Sequence, residues 1–325
     1  MLIKVPRGWE IPERQVTPED VYLNRRKFLV RATVGALAGI GGIILPGEAG
    51  FSRPAAKEEP KRVLTPLAAP RNPEYKVDRP ISSERVATGY NNYYEFTEVK
   101  DQVWKVAQGF EPRPWQIEFK GQIEKPFRID VDELIKRMAL EERVYRHRCV
   151  ERWVVIIPWI GFPMKKLVEL AKPTSKALFV RMVSFFRPGQ APGQRGEGPW
   201  STYWPYHEGL TMEEATNELA LVVVGAYGKV LPNQNGSPLR VHVPWKYGFK
   251  SIKAITRFEF TEKRPPTFWN TAVPSEYDFE ANVNPNKPHP RWSQAQEQLV
   301  ETGEVIATRL YNGYGKYVAH LYGKG

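Results

Sequence analysis

The 325-residue chain has one cysteine, Cys149, so no disulfide can close within it. Its five histidines (His147, His207, His242, His289 and His320) form no H-x-x-H or H-E-x-x-H pair, which argues against a zinc-enzyme site. There is no G-x-x-x-x-G-K-[ST] and no convincing G-x-G-x-x-G, so the common nucleotide loops are excluded. There is no C-x-x-C-H, hence no covalently attached haem. The net charge of +11 is spread without any run of five or six like charges, and no DNA- or RNA-recognition motif is present. That charge is solubilising or serves an anionic ligand; nucleic acid is not an expected partner. The apolar stretch Ala32 to Leu45 falls short of the about 20 residues a spanning helix requires.

Breakers, by contrast, are abundant. With 29 Pro and 25 Gly the chain is cut into short elements and long loops, which disfavours a helix bundle or coiled coil. Hydrophobic residues at 42% suffice for a sizeable core, and 12% aromatics point to a ring-lined core or cleft.

Residues 1–49 read as an address. Asn24-Arg25-Arg26-Lys27-Phe28-Leu29 precedes a Gly- and Ala-rich apolar stretch and resembles a bacterial twin-arginine export signal, with a cleavage site near Gly47-Glu48-Ala49. That route carries folded, cofactor-loaded proteins to the periplasm. Residues 50–80, with six prolines from Pro54 to Pro80, read as a linker or a surface-hugging segment, and 81–325 as one globular domain. The periodicity predicts a helix from Asp130 to about Leu140, a second after Pro163, and a third from Thr211 with Glu214 completing a capping box. Strands are expected at Leu219–Val224, Arg240–Val243 and Ile252–Phe260. Short helices among scattered strands favour an α+β fold with mixed sheets. Gly303 to Gly325 reads as a loosely held tail.

Cys149 lies in Tyr145-Arg146-His147-Arg148-Cys149-Val150-Glu151-Arg152, amid positive charge that favours a thiolate. It is an inert buried thiol, a Cys/His nucleophile, or a thiolate ligand to a soft metal. The nucleophile reading is the poorest, since alternation along an extended segment is expected to turn His147 away. Glu151 is a candidate hydrogen-bonding or proton-relay group, or else an ion-pair partner of Arg148 or Arg152. Downstream, Asn235-Gly236 marks a tight turn of the hairpin kind. Arg240, Lys246, Lys250 and Lys253, with Gly248, form a cationic cluster suited to a phosphate. Trp245, Tyr247 and His207 are candidate wall residues.

Several of these motifs recur together elsewhere. Asn91-Asn92-Tyr93-Tyr94-Glu95-Phe96, Arg148-Cys149-Val150-Glu151, Pro158-Trp159-Ile160-Gly161-Phe162-Pro163, Gln234-Asn235-Gly236, Val243-Pro244-Trp245-Lys246-Tyr247-Gly248-Phe249-Lys250 and His289-Pro290-Arg291-Trp292-Ser293-Gln294-Ala295 follow in one order. In this the chain resembles the catalytic subunits of bacterial periplasmic protein-methionine-sulfoxide reductases, molybdopterin enzymes of the sulfite oxidase superfamily. The resemblance implies a sulfite-oxidase-type domain with one molybdopterin per chain. Cys149 would be the metal ligand. Asn91, Tyr94, Glu95, Ser184, Asn235, Arg240, Ser251, Ile252 and Lys253 would hold the cofactor, Ser184 standing where the family has a threonine. It implies oxygen-atom transfer from methionine sulfoxide in oxidised periplasmic proteins, with electrons from a haem-containing inner-membrane subunit. The alternatives are a related molybdenum oxidoreductase acting on sulfite or a small S- or N-oxide, and a secreted cofactor-free binding module.

Overall fold

The computed structural model describes residues 64–196 and 198–323. The export signal and residues 50–63 lie outside them; Pro66 and Arg71 form isolated bridges to Lys229 and Glu142, so 64–80 runs along the surface of the domain.

The described chain opens with α1 (Glu84–Gly89) and α2 (Val103–Val106), then β1 (Gln116–Gly121), β2 (Phe127–Asp130) and α3 (Val131–Lys136). A hairpin of β3 (Glu141–Arg148) and β4 (Trp153–Pro163) leads into α4 (Met164–Ala171), β5 (Phe179–Ser184), β6 (His207–Thr211) and α5 (Met212–Thr216). Then come β7 (Leu221–Ala226), β8 (Lys229–Val230), β9 (Arg240–His242), β10 (Ile255–Thr261), α6 (Phe268–Ala272), β11 (Gln296–Leu299), β12 (Val305–Ala307) and α7 (Gly315–Val318).

Two mixed sheets result. One runs β2-β1-β10-β5-β6, with only β1 and β10 parallel. The other runs β12-β11-β4-β7-β8, with β3 also on β4 and β9 on β7. This is the expected α+β class. Among the described residues no helix is long and apolar enough to cross a membrane.

Local chemistry accounts for the helices. Asp130 caps α3 through Asp132 N–H, and the helix stops at Lys136, shorter than its apolar stripe suggested. Thr211 and Glu214 form the expected capping box of α5. The strand expected at Ile252–Phe260 begins only at Ile255, and its register slips between Ile255 and Arg257. The three residues before it serve the cavity described below.

Two expectations fail. Asn235-Gly236 makes no hairpin: β8 and β9 both pair with β7, and a short 3-10 turn at Asn233–Asn235 links them, ending on Gly236 at φ +102°. Nor is the C-terminal tail loose. Asn312 is fully buried and donates to the carbonyls of Arg146 and Pro244, while Tyr322 takes a hydrogen bond from the Trp245 indole and gives one to Glu214. Composition suggested a glycine-rich end; long-range polar contacts hold it down.

Candidate active site

One cavity of about 970 Å³, counting its open mouth, lies where the β3–β4 hairpin meets the loop after α1 and the 235–253 segment. β4 is buried almost throughout, and its alternate residues Trp153, Val155, Ile157 and Trp159 face this space. Of the eleven residues the sequence singled out for catalysis or cofactor binding, only Ser184 is not on the lining.

Cys149 opens the four-residue turn between β3 and β4. Its N–H donates to Trp153 O, and Arg152 N–H donates back to Cys149 O, with Arg152 at φ +71°. The turn brings Glu151 round to the sulfur: its N–H lies 3.4 Å from Sγ and its Oε2 3.9 Å. Asn92 Nδ2 donates to both, at 3.2 Å to Sγ and 3.0 Å to Glu151 Oε2. Burial, with the Glu151 carboxylate beside it, pushes the thiol up to about 12, so the free sulfur is a poor nucleophile. Glu151 pairs with Lys100 at 3.1 Å and accepts from the Trp153 indole at 3.3 Å. The expected pairing with Arg148 does not occur, because Arg148 is drawn to the buried Glu297, which also takes Arg146. Arg148 further donates to Cys149 O, and Trp292 and Gln294 both donate to Val150 O. The His289–Ala295 motif thus clamps the cysteine turn from behind.

His147 does not turn away. Residues 147 and 149 are two apart on an extended chain, so they share a face, and both line the cavity. The alternation rule was sound, but it applies to neighbours one residue apart. Burial, reinforced by His242, Arg240 and Lys253, holds the imidazole far below its usual range, hence neutral.

The far end of the cavity is cationic. Arg240 donates to Asn235 O and Ser251 O, both at 2.9 Å, stacks over Trp159, and leaves Nε buried without a partner. Lys253 donates to Asn92 O at 2.8 Å and lies over Tyr93. Neither has a carboxylate within ion-pair reach among the described residues. Burial lowers Arg240 to about 10, and it lowers Lys253 too, with Arg240 adding to the effect and Glu95 opposing it. Burial conversely raises Glu95, against Lys253. The other two lysines of the expected cluster are spent elsewhere: Lys246 binds Glu214 at 2.6 Å and Lys250 binds Glu208 at 2.9 Å, all four buried. An ammonium removed from water requires a counter-charge, and these two found theirs in the protein.

The remaining donors and acceptors suit a polar organic anion. Asn91 and Asn235 both donate to Ala87 O, and the side-chain oxygen of each is buried and unpartnered. The main-chain N–H groups of Ile252 and Lys253 have no acceptor among the described residues. Ser184 stands behind this segment, its hydroxyl donating to Lys253 O at 2.8 Å. Buried polar atoms left unpaired are costly, and here they converge on one space beside two uncompensated cations.

The mouth is walled by Phe249, from the Val243–Lys250 motif, and by four rings that the sequence motifs did not flag: Trp204, Tyr206, Trp269 and Tyr277. Trp269 packs edge-on to Tyr94 at 5.6 Å and Phe249 edge-on to Tyr277 at 5.3 Å. Of the candidate wall residues, Trp245 is core, Tyr247 lines a smaller neighbouring cavity, and His207 faces neither. Trp204 lies far upstream of the segment that carries Trp269 and Tyr277, and only folding unites them.

Comparison with known proteins bears on this geometry. Residues 104–269 match the family model described as oxidoreductase molybdopterin binding domain. The chain is 44% identical over 322 residues, covering 97% of this chain and 94% of the relative, to the protein-methionine-sulfoxide reductase catalytic subunit MsrP of Burkholderia mallei. Among solved structures it is similar to the sulfane dehydrogenase SoxCD of Paracoccus pantotrophus at 13% identity and a TM-score of 0.44, over 69% of this chain and 58% of that one. The chain belongs to the family of protein-methionine-sulfoxide reductase catalytic subunits, which carry the oxidoreductase molybdopterin binding domain.

Proposed function

We propose that this chain reduces methionine sulfoxide residues in proteins, using a molybdenum–pterin cofactor held across the cavity. The carrying observation is the pairing, in one space, of a buried sulfur at one end with two buried cations lacking carboxylate partners at the other. The name of the Burkholderia mallei relative supports the substrate.

Each residue then has a task. Cys149 holds the metal; as a thiolate it is the soft donor that such a metal prefers. Arg240 and Lys253, with the N–H groups of Ile252 and Lys253, hold the phosphate, and Ser251 and Ser184 fix that backbone. Asn91 and Asn235 present acceptor oxygens to the ring edge, with Tyr94 and Glu95 closing the same wall. When bound, the cofactor supplies oxygen-atom exchange: the S=O bond breaks, and two electrons and two protons carry the oxygen off as water. Glu151, fixed by Lys100, Asn92 and Trp153, can hold a proton beside the sulfur end. The ring-lined mouth packs the substrate's methyl and thioether groups through sulfur–aromatic contact and excludes water. A sulfite dianion is poorly served at the sulfur end, where the Glu151 carboxylate stands beside Cys149.

In this reading residues 1–49 are a twin-arginine leader, the mature protein works in the periplasm on oxidised proteins there, and a haem-containing membrane subunit supplies the electrons. The test is turnover. Protein from a molybdate-replete host, supplied with a reduced viologen dye, is expected to convert methionine sulfoxide in an oxidised protein to methionine, and Cys149→Ser is expected to abolish this. Wild-type turnover by the serine variant, or a loaded enzyme that reduces only small S- or N-oxides, would contradict the proposal.

A further inference from the structure

His147 lines the cavity and has no task in the scheme above. It sits on β3 opposite Val155, and both line the cavity. Cys149 lies two residues on, so the imidazole is about 6–7 Å along the strand from the sulfur end. On its other side is the His242 ring at 5.2 Å, which in turn is engaged through Nδ1 with Ser251, next to the phosphate-holding segment. His147 therefore lies between the two ends of the site. Neither of its ring nitrogens has a hydrogen-bond partner among the described residues, nor is either a buried orphan, so both reach accessible space.

The surroundings keep the ring in place. Gly248 packs its backbone against the imidazole edge: a Cβ there would lie 2.7 Å from Nε2 and 2.8 Å from Cε1. Trp153 flanks it at 6.0 Å. The two imidazole nitrogens can serve as hydrogen-bond donor and acceptor, which suits a heterocycle that presents both.

We infer that His147 contacts the cofactor's ring system, hydrogen-bonding it midway between the metal and the phosphate and fixing its orientation. This rests on the reading of the cavity as the molybdopterin site. Three variants test it. His147→Phe keeps the ring volume without either nitrogen, His147→Met fills the space with a flexible apolar chain, and His147→Gln retains a donor and an acceptor. Each is expressed with molybdate and followed by pterin fluorescence after extraction, by electron paramagnetic resonance of the molybdenum, and by melting of the cofactor-free protein.

His147→Phe and His147→Met are expected to lose pterin about five-fold faster than wild type, as for one neutral hydrogen bond, and to shift the molybdenum signal. His147→Gln should restore both, and all should melt like wild type when cofactor-free. Wild-type retention and an unchanged spectrum in His147→Phe, or in His147→Met should the phenylalanine variant not fold, would overturn the assignment. If wild type itself carries no pterin, it is the reading of the cavity that fails.

Discussion

Gly236→Ala probes how the turn and the cationic end of the site are joined. Gly236 has φ +102°, outside the range alanine adopts readily; for an L-residue positive φ costs about 1–2 kcal/mol. The added Cβ would also lie 2.7 Å from Lys253 Cβ, 2.9 Å from Cγ and 3.2 Å from Cα. Carbon pairs settle near ~3.5–4.0 Å, so Lys253 must retreat by about an ångström, an overpacking cost of about 1–3 kcal/mol. Retreat is resisted, because Ala254 N–H donates to Gly236 O and the Lys253 ammonium to Asn92 O. The sum, about 2–5 kcal/mol, lowers the melting temperature of the cofactor-free protein by roughly 5–15 °C. The loaded protein should suffer further, since a displaced ammonium weakens a charge-assisted contact and cuts cofactor affinity by about ten-fold or more. Calorimetry of the cofactor-free protein and pterin content of the loaded one read the two effects. Unchanged melting and unchanged content would refute the claim that this turn holds Lys253 in position.

Other outcomes follow from the buried charges. Glu297→Gln leaves the guanidinium groups of Arg146 and Arg148 without their buried carboxylate, so denaturant unfolding should show a loss of about 3–5 kcal/mol, with reduced pterin content because Arg148 supports Cys149. Burial raises Glu95 above its usual carboxylate range, against the pull of Lys253. A folded-state value above the unfolded one means stability is fully present below pH ~4.5 and is lost as pH rises through the raised value. The cofactor-free protein should therefore lose melting temperature between acid and neutral pH, and Glu95→Gln should flatten that slope.

Much of the site was legible because its residues sit in short, unusual motifs. Asn91, Tyr94 and Glu95, Cys149 and Glu151, and Asn235, Arg240, Ser251, Ile252 and Lys253 were all named from sequence, and all reach one cavity. Charge was less legible than position. Four cations were candidates for the phosphate, and only folding reveals that Glu214 and Glu208 neutralise two of them. Glu151 likewise met Lys100, from a loop about fifty residues upstream in sequence, while Arg148 went to Glu297. The α5 capping box was local and was read correctly, whereas β4, with Pro158 inside it, gave no clean strand signal although it is the spine of its sheet. The docked C-terminus and the aromatic mouth depend on contacts between distant segments, which no local pattern encodes.

The central claim is that the sulfur of Cys149 binds molybdenum. X-ray absorption at the molybdenum edge, on loaded wild type and on Cys149→Ser, tests it most directly. The account predicts molybdenum in the wild type with one more sulfur neighbour than in the serine variant. An identical sulfur shell in both proteins, or wild type without molybdenum after expression with molybdate, would contradict it.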